Sequence, residues 1–312
     1  MTEPSAPDAP SPDSSSLGQA QTGAARPGPA PAGAPPAGAP SVGAPPTGTP
    51  SADEPARTVR LATMTAREYE EWVGGGSAVA ILPTGAFEQH GPHLPLGTDA
   101  ILSTAVATAV AEQTGAKVLE PFTLGYKSQQ RSGGGNHLHG TLSLDADALI
   151  AQARQLIRGL LAQGVRHVVV LNGHYENTQF LYEGADLALR DLGLAPGAEQ
   201  SVMLLSYWDY VSAPTLEVVY PGGFPGWDVE HGGVLETALL LHLRPELVHM
   251  DRAVSHPPAA PYRFDRLPVV PERTPGTGCL SAPDGASAEK GELLFTQTVE
   301  DLAAELRAEL GL

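Results

Sequence analysis

Three short apolar runs, Val79–Leu82, His167–Leu171 and Val202–Leu205, are separated by stretches with helical periodicity. That alternation constrains this chain more than any other feature. Apolar runs this short, with no polar alternation, suit strands buried on both faces. Alternating with helices of 10–20 residues, they predict an α/β fold: a three-layer α/β/α sandwich with a mostly parallel central sheet. Between them, Ala100–Gln113 reads as a helix ended by Gly115, and Lys117–Leu119 as a further strand stopped at Pro121. Leu149, Ala153, Leu156, Ile157, Leu160 and Leu161 recur at helical spacing, and helices are also expected over 177–192 and 233–243. Phe295, Val299, Leu302, Leu306 and Leu310 form the stripe of a final amphipathic helix, while Thr65-Ala66-Arg67-Glu68 has the form of a capping box.

The folded unit is expected over 57–312. Residues 1–56 are built from Pro, Ala, Gly, Ser and Thr, with near-repeats such as Pro31-Ala32-Gly33-Ala34-Pro35, and hold no aromatic residue. Such a segment buries too little apolar surface to offset its ordering entropy and reads as a disordered tail. It lacks the basic start and apolar run of a secretory signal, and no 18-residue apolar stretch occurs that would span a membrane. Cys279 is the single cysteine, so neither an intrachain disulfide nor a thiolate metal cluster is available, and a reducing, cytoplasmic setting is the simplest reading. With 18 basic against 35 acidic residues the net charge is −17, which argues against nucleic acid as a partner.

In parallel sheets ligands bind beyond the carboxyl ends of the strands, and there the polar residues gather. Glu88-Gln89-His90-Gly91-Pro92-His93 and Asp99 follow the first run, Asn172-Gly173-His174-Tyr175-Glu176-Asn177 the second, and Ser206-Tyr207-Trp208-Asp209 the third, with Trp227-Asp228-Val229-Glu230-His231 further on. His90, His93, His137, His139, His174 and His231, six of the ten histidines, fall in these loops. Glu88, His90, Asp99, His174 and Glu176 form a candidate ligand set for two divalent ions. Three carboxylates and two neutral imidazoles nearly balance the charge of two such ions, and Asp99 is placed to bridge them. Imidazole and carboxylate donors without thiolate suit Zn²⁺ or Mn²⁺. Each piece also has an ordinary structural reading: Glu-x-His as a surface pair, His174 as a loop histidine, Asp99 as a helix cap, Trp227 as a packing residue. Glu236 fits either a supporting role at the site or a charge on a helix face.

Leu82-Pro83-Thr84-Gly85-Ala86-Phe87-Glu88-Gln89-His90-Gly91 with Asp99 resembles the metal-binding signature of the creatininase family. Tyr126-Lys127-Ser128-Gln129-Gln130, Ser132-Gly133-Gly134-Gly135-Asn136-His137, Asn172 to Asn177, and Gly226-Trp227-Asp228-Val229-Glu230-His231-Gly232-Gly233 resemble further segments of the creatininases. The resemblance runs from about Thr65 to the C-terminus. Tyr175 and Glu176, standing where many family members have Gly-Gly, are similar to the members that act on creatinine, whereas Pro92, Leu94, Pro95 and Leu96 resemble the wider family. The resemblance implies a creatinine amidohydrolase interconverting creatinine and creatine through a water activated by two metal ions. It implies that Glu88, Asp99 and His174 hold one ion, and His90, Asp99 and Glu176 the other. Ser132, Tyr175, Trp227, Asp228 and His231 would line the substrate pocket, Trp208 would close it, and Glu230 and His231 would handle protons. It also implies a homohexamer. Gly222, Gly223 and Gly226 around Phe224 would let that segment move as a lid. The competing readings are another amidohydrolase of the family, cleaving a formamide, a lactam or a peptide bond, and a non-catalytic metal or small-molecule binder.

Overall fold

Aliphatic runs build the centre of the molecule. In the computed structural model, which describes residues 59–260 and 262–312, Val79–Thr84 forms β1, Lys117–Val118 β2, His167–Asn172 β3 and Ser201–Ser206 β4. They make one sheet in the order β2-β1-β3-β4, and every neighbouring pair is parallel. The expected tail over 1–56 lies outside the described residues.

Seven helices are named here: α1 (Ala66–Gly74), α2 (Thr98–Thr114), α3 (Ala146–Ala162), α4 (Thr178–Asp191), α5 (Ala213–Val219), α6 (Val234–Leu243) and α7 (Ala288–Leu310). Side chains alternate across the strands. Val79, Ile81, Val169 and Leu171 pack with Leu102 and Val106 of α2, Leu235 and Leu239 of α6, and Leu302 and Leu306 of α7. On the other face Ala80, Leu82, Val168 and Val170 pack with Leu149, Ala153 and Ile157 of α3 and Leu181 of α4. The expected three-layer α/β/α architecture is therefore the observed one. The capping box opens α1 as expected: Thr65 Oγ1 accepts from the Glu68 backbone at 3.3 Å, and the Glu68 carboxylate accepts from the Thr65 backbone at 2.6 Å.

The register matters for function. Thr84 pairs with Asn172 and Asn172 with Ser206, so β1, β3 and β4 end level. Their polar last residues are joined side by side: Thr84 Oγ1 donates to Asn172 Oδ1 at 3.2 Å, and Asn172 Nδ2 to Ser206 Oγ at 3.4 Å. This row is the ledge from which the polar loops leave.

Candidate active site

Two glycines bring a helix onto that ledge. A Cβ on Gly85 would lie 2.4 Å from Ala100 N, and one on Gly173 would lie 2.6 Å from the Asp99 carbonyl oxygen. Both distances are too short for any side chain. Glycine at these positions lets the start of α2 seat directly on the ends of β1 and β3, and Asp99 comes with it. Asp99 does not cap its helix. Gly97 holds the cap position, and both Asp99 carboxylate oxygens are buried without a hydrogen-bond partner.

Three histidines face the same point, and each is fixed by the nitrogen turned away from it. His90 Nδ1 donates to the Glu88 carbonyl at 3.1 Å, His174 Nε2 to the Tyr126 carbonyl at 3.1 Å, and His231 Nε2 to the Gln89 carbonyl at 2.8 Å. A carbonyl can only accept, so each ring carries its proton outward and offers an inward lone pair. His90 Nε2 lies 2.9 Å from Asp99 Oδ1 and 3.5 Å from Glu236 Oε1. His174 Nδ1 lies 3.0 Å from both Glu88 Oε1 and Asp99 Oδ2, and His231 Nδ1 3.8 Å from Glu88 Oε1.

These contacts bring lone pairs against lone pairs. His90 Nε2, Glu88 Oε2 and both Asp99 oxygens are buried with no hydrogen-bond donor, where an interior pairs nearly all of its polar atoms. The charge pattern agrees. Burial alone would push His90 and His174 down. Glu236 and Asp99 around the first, and Glu88 and Glu176 around the second, hold both well above the ordinary imidazole range. The cluster calls for positive charge at its centre, and divalent cations fit it. Glu88, Asp99 and His174 are within mutual reach as one ligand group, and His90, Asp99 and Glu236 as another, with Asp99 common to both.

Glu176, expected to join His90 and Asp99, takes a different place. It stands beside the outward nitrogen of His174, 3.3 Å from Nε2, and its Oε1 accepts from the Gln129 backbone at 2.9 Å and from Ser132 Oγ at 2.6 Å. The third carboxylate beside His90 is Glu236, from the first turn of α6. Burial pushes the Glu176 carboxyl up against the opposing pull of His174.

Above the cluster opens a pocket lined by Ser132, Tyr175, Trp208, Trp227, Glu230 and His231, with Tyr207 and Leu235 deeper in. Tyr175 is half-exposed and stacks near Trp208, centroids 6.5 Å apart. Trp227 meets Phe224 edge-on at 4.6 Å, and Phe224 meets Tyr220 at 5.0 Å. The Gly222–Gly226 segment is thereby pinned by its aromatic residue. Asp228 does not line the pocket. Glu230 does, but its oxygens are engaged away from His231: Oε1 accepts from Leu235 N at 2.8 Å and Oε2 from Ser281 Oγ at 2.9 Å. Burial, then the nearby Glu236 carboxylate, pushes it up to about 7.

Residues 62–306 match the family described as creatinine amidohydrolase. The chain belongs to the creatininase family. The creatinine amidohydrolase of Pseudomonas putida is 49% identical over 255 residues, covering 81% of this chain and 98% of that protein. The solved structure "Creatininase Mn" matches with a TM-score of 0.79 at 49% identity, over 81% of this chain and 99% of that one. A mutant creatininase complexed with creatine matches with a TM-score of 0.78 at 48% identity, over 81% and 99% of the two chains.

Within this creatininase-family frame, sequence reasoning left two pocket residues unassigned. Glu236 had a signal: it is the one carboxylate in a helix whose first seven residues, Val234 to Leu240, are all buried. A charge in such a place requires a partner. Tyr207, buried beside Trp208, carried none, since a tyrosine after a strand is ordinary core. His93 bonds Thr237 Oγ1 at 3.0 Å and is structural, while His137 and His139 sit on the exposed loop.

Proposed function

We propose that this protein hydrolyses the cyclic amide of creatinine to creatine and runs the reverse closure, using two divalent metal ions. The observation that carries the reading is the convergence of inward imidazole lone pairs and undonated carboxylate oxygens under a pocket walled by Trp208 and Trp227. Glu88, Asp99 and His174 would hold one ion, and His90, Asp99 and Glu236 the other, with Zn²⁺ or Mn²⁺ suited to these donors. When bound, such ions lower the pKa of a shared water and polarise the carbonyl under attack.

The residues supply the rest. The indole faces of Trp208 and Trp227 hold the flat ring, and Tyr175 closes the open side. Glu176, fixed by Ser132 and the Gln129 backbone and raised by burial, takes the proton of the attacking water. The water oxygen bonds to the ring carbonyl carbon, and the carbon–nitrogen bond breaks. His231, whose Nε2–H is committed to the Gln89 carbonyl, takes up the second proton of that water on its free Nδ1 and passes it to the departing ring nitrogen. The product carries a carboxylate and a guanidino group, which is creatine. Glu230, pushed up to about 7, is a further titratable group in the lining. Asp228 follows the Trp227 wall in the turn Trp227–Val229 and is the acceptor proposed for the N–H groups of the ring.

A cytoplasmic location and a homohexamer belong to the same proposal, resting on the single cysteine and the family resemblance. Among the described residues no helix is long and apolar enough to cross a membrane. Light scattering of the purified chain tests the assembly. For the reaction, the metal-free protein is loaded with Mn²⁺ or Zn²⁺, given creatinine, and creatine is measured. Conversion in neither direction would sink the substrate assignment and leave the metal centre standing.

A further inference from the structure

The motif Asn172 to Asn177 contains two asparagines that the proposed chemistry does not use. Asn172 holds the His174 main chain at both ends: Oδ1 accepts from His174 N at 3.1 Å, and Nδ2 donates to His174 O at 2.7 Å. Asn177 is different. It is fully buried and stands at the start of α4, yet its side chain makes no capping bond. A side chain of this type at a helix start would ordinarily accept from the helix's own backbone. Instead Nδ2 donates to the Gly85 carbonyl at 3.0 Å and to Asn172 Oδ1 at 3.3 Å, and Oδ1 accepts from Tyr126 N at 2.8 Å.

Tyr126 sits in the long loop between β2 and α3, and its carbonyl is the acceptor for His174 Nε2–H. Asn177 thus ties the end of β1 and the end of β3 to the N–H of Tyr126, the residue whose carbonyl holds the His174 ring. The neighbouring Gly125 is pressed against the same group, since a Cβ there would lie 2.7 Å from Asn177 Oδ1.

We infer that Asn177 is a positioning residue for His174, acting through the main chain of Tyr126 to keep the ring proton on Nε2 and the Nδ1 lone pair on the metal cluster. The inference rests on the reading of His174 as a ligand. Loss of such an outer partner typically weakens metal binding about 10- to 100-fold.

The test uses the full chain, purified metal-free, with two readouts: the ¹⁵N shifts of the His174 ring and the affinity for added Mn²⁺. In wild type, at a pH high enough to leave the His174 ring with a single proton, the shifts should report the Nε2–H tautomer. Asn177→Ala should mix the tautomers and weaken Mn²⁺ binding at least tenfold. Asn177→Asp keeps the acceptor that Tyr126 N–H needs, and should retain the tautomer and bind Mn²⁺ within a few-fold of wild type. Leu181→Ala, fully buried in the same helix with no polar link to the site, controls for lost stability and should change neither readout. An Asn177→Ala protein that keeps tautomer and affinity overturns the inference, as does a Leu181→Ala protein that loses both. If Asn177→Ala does not fold, Asn177→Asp decides alone: loss of the Nε2–H tautomer in that variant overturns it. Wild type that binds no Mn²⁺ would instead remove the metal reading, and the tautomer of the metal-free variants would still decide the role of Asn177.

Discussion

The floor and the rim of the pocket are built by different physics. On the floor, Glu88, His90, Asp99 and His174 are each at most 3% exposed, and each ring is anchored to a backbone carbonyl of a loop beyond the sheet. Close approaches at Gly85 and Gly173 leave no room for adjustment. On the rim, Tyr175, Trp208 and Trp227 are held by ring contacts, and Tyr175 is 49% exposed. A hydrogen-bonded floor fixes where charge sits to within a few tenths of an ångström, which metal chemistry requires. An aromatic rim fixes only a flat slot, and its shape can change without disturbing the ions. Reaction type therefore resides in the floor and substrate choice in the rim.

The comparison is broken most severely through Asp99. Asp99→Asn removes a charge from the carboxylate shared by the two ligand groups proposed to hold the ions. It should cost at least one ion per chain and lower creatine formation by more than the roughly 100-fold typical of an outer partner. Metal analysis beside an activity assay checks this, and a variant that keeps both ions would show that Asp99 is not shared. His231→Ala comes next, because it sits where floor meets rim. Turnover should fall roughly 10²- to 10⁴-fold, the usual weight of a general acid, with metal content unchanged. Activity close to wild type would remove His231 from the mechanism.

The floor was more legible in the sequence than the rim, and the reason is local. Glu88, His90, His174 and Glu176 each lie within a few residues of a strand end, so the alternation of apolar runs and helices was enough to bring them to one side of the sheet. What sequence order could not convey is direction within the site. Glu176 is two residues from His174, but the turn Tyr175–Asn177 swings it to the outward nitrogen, while Glu236, 62 residues after His174 (174 to 236), arrives from a helix of its own to stand beside His90. The carboxylate of Glu230 and the ring of His231 are parted in the same way. Adjacent residues in an irregular segment point apart, and Glu230 turns to Leu235 and Ser281. Helix α5 escaped notice because seven residues show too little periodicity, although Ser212 caps it by accepting from Thr215 N at 3.3 Å.

A smaller effect sharpens the claim that the floor is rigid. Gly173→Ala adds one methyl group 2.6 Å from the Asp99 carbonyl oxygen and 3.0 Å from Ser103 Cβ. Neither neighbour can withdraw, since one is helix backbone and the other is buried in the same helix. The variant should lose about 1–3 kcal/mol in urea unfolding, the usual cost of overpacking. Because the displaced atoms belong to Asp99, weaker Mn²⁺ binding should accompany that loss. Lost stability with wild-type metal affinity would mean that the floor yields as a unit, and the contrast with the rim would weaken.

The smallest effect is expected at the rim, and there it divides between binding and chemistry. Trp227→Ala removes one wall of the slot while leaving every ligand atom in place. Aromatic contacts are worth about 0.5–1.5 kcal/mol beyond the area they cover, so KM for creatinine should rise several-fold while kcat changes less. Phe224 loses its edge contact to the indole in this variant, and the Gly222–Gly226 segment gains freedom that Trp227→Phe would restrain. A KM that recovers in Trp227→Phe places the role of Trp227 in the aromatic face it presents to the ring. A kcat that collapses together with metal content in both variants would show that the rim supports the floor after all, and the division of labour between them would have to be abandoned.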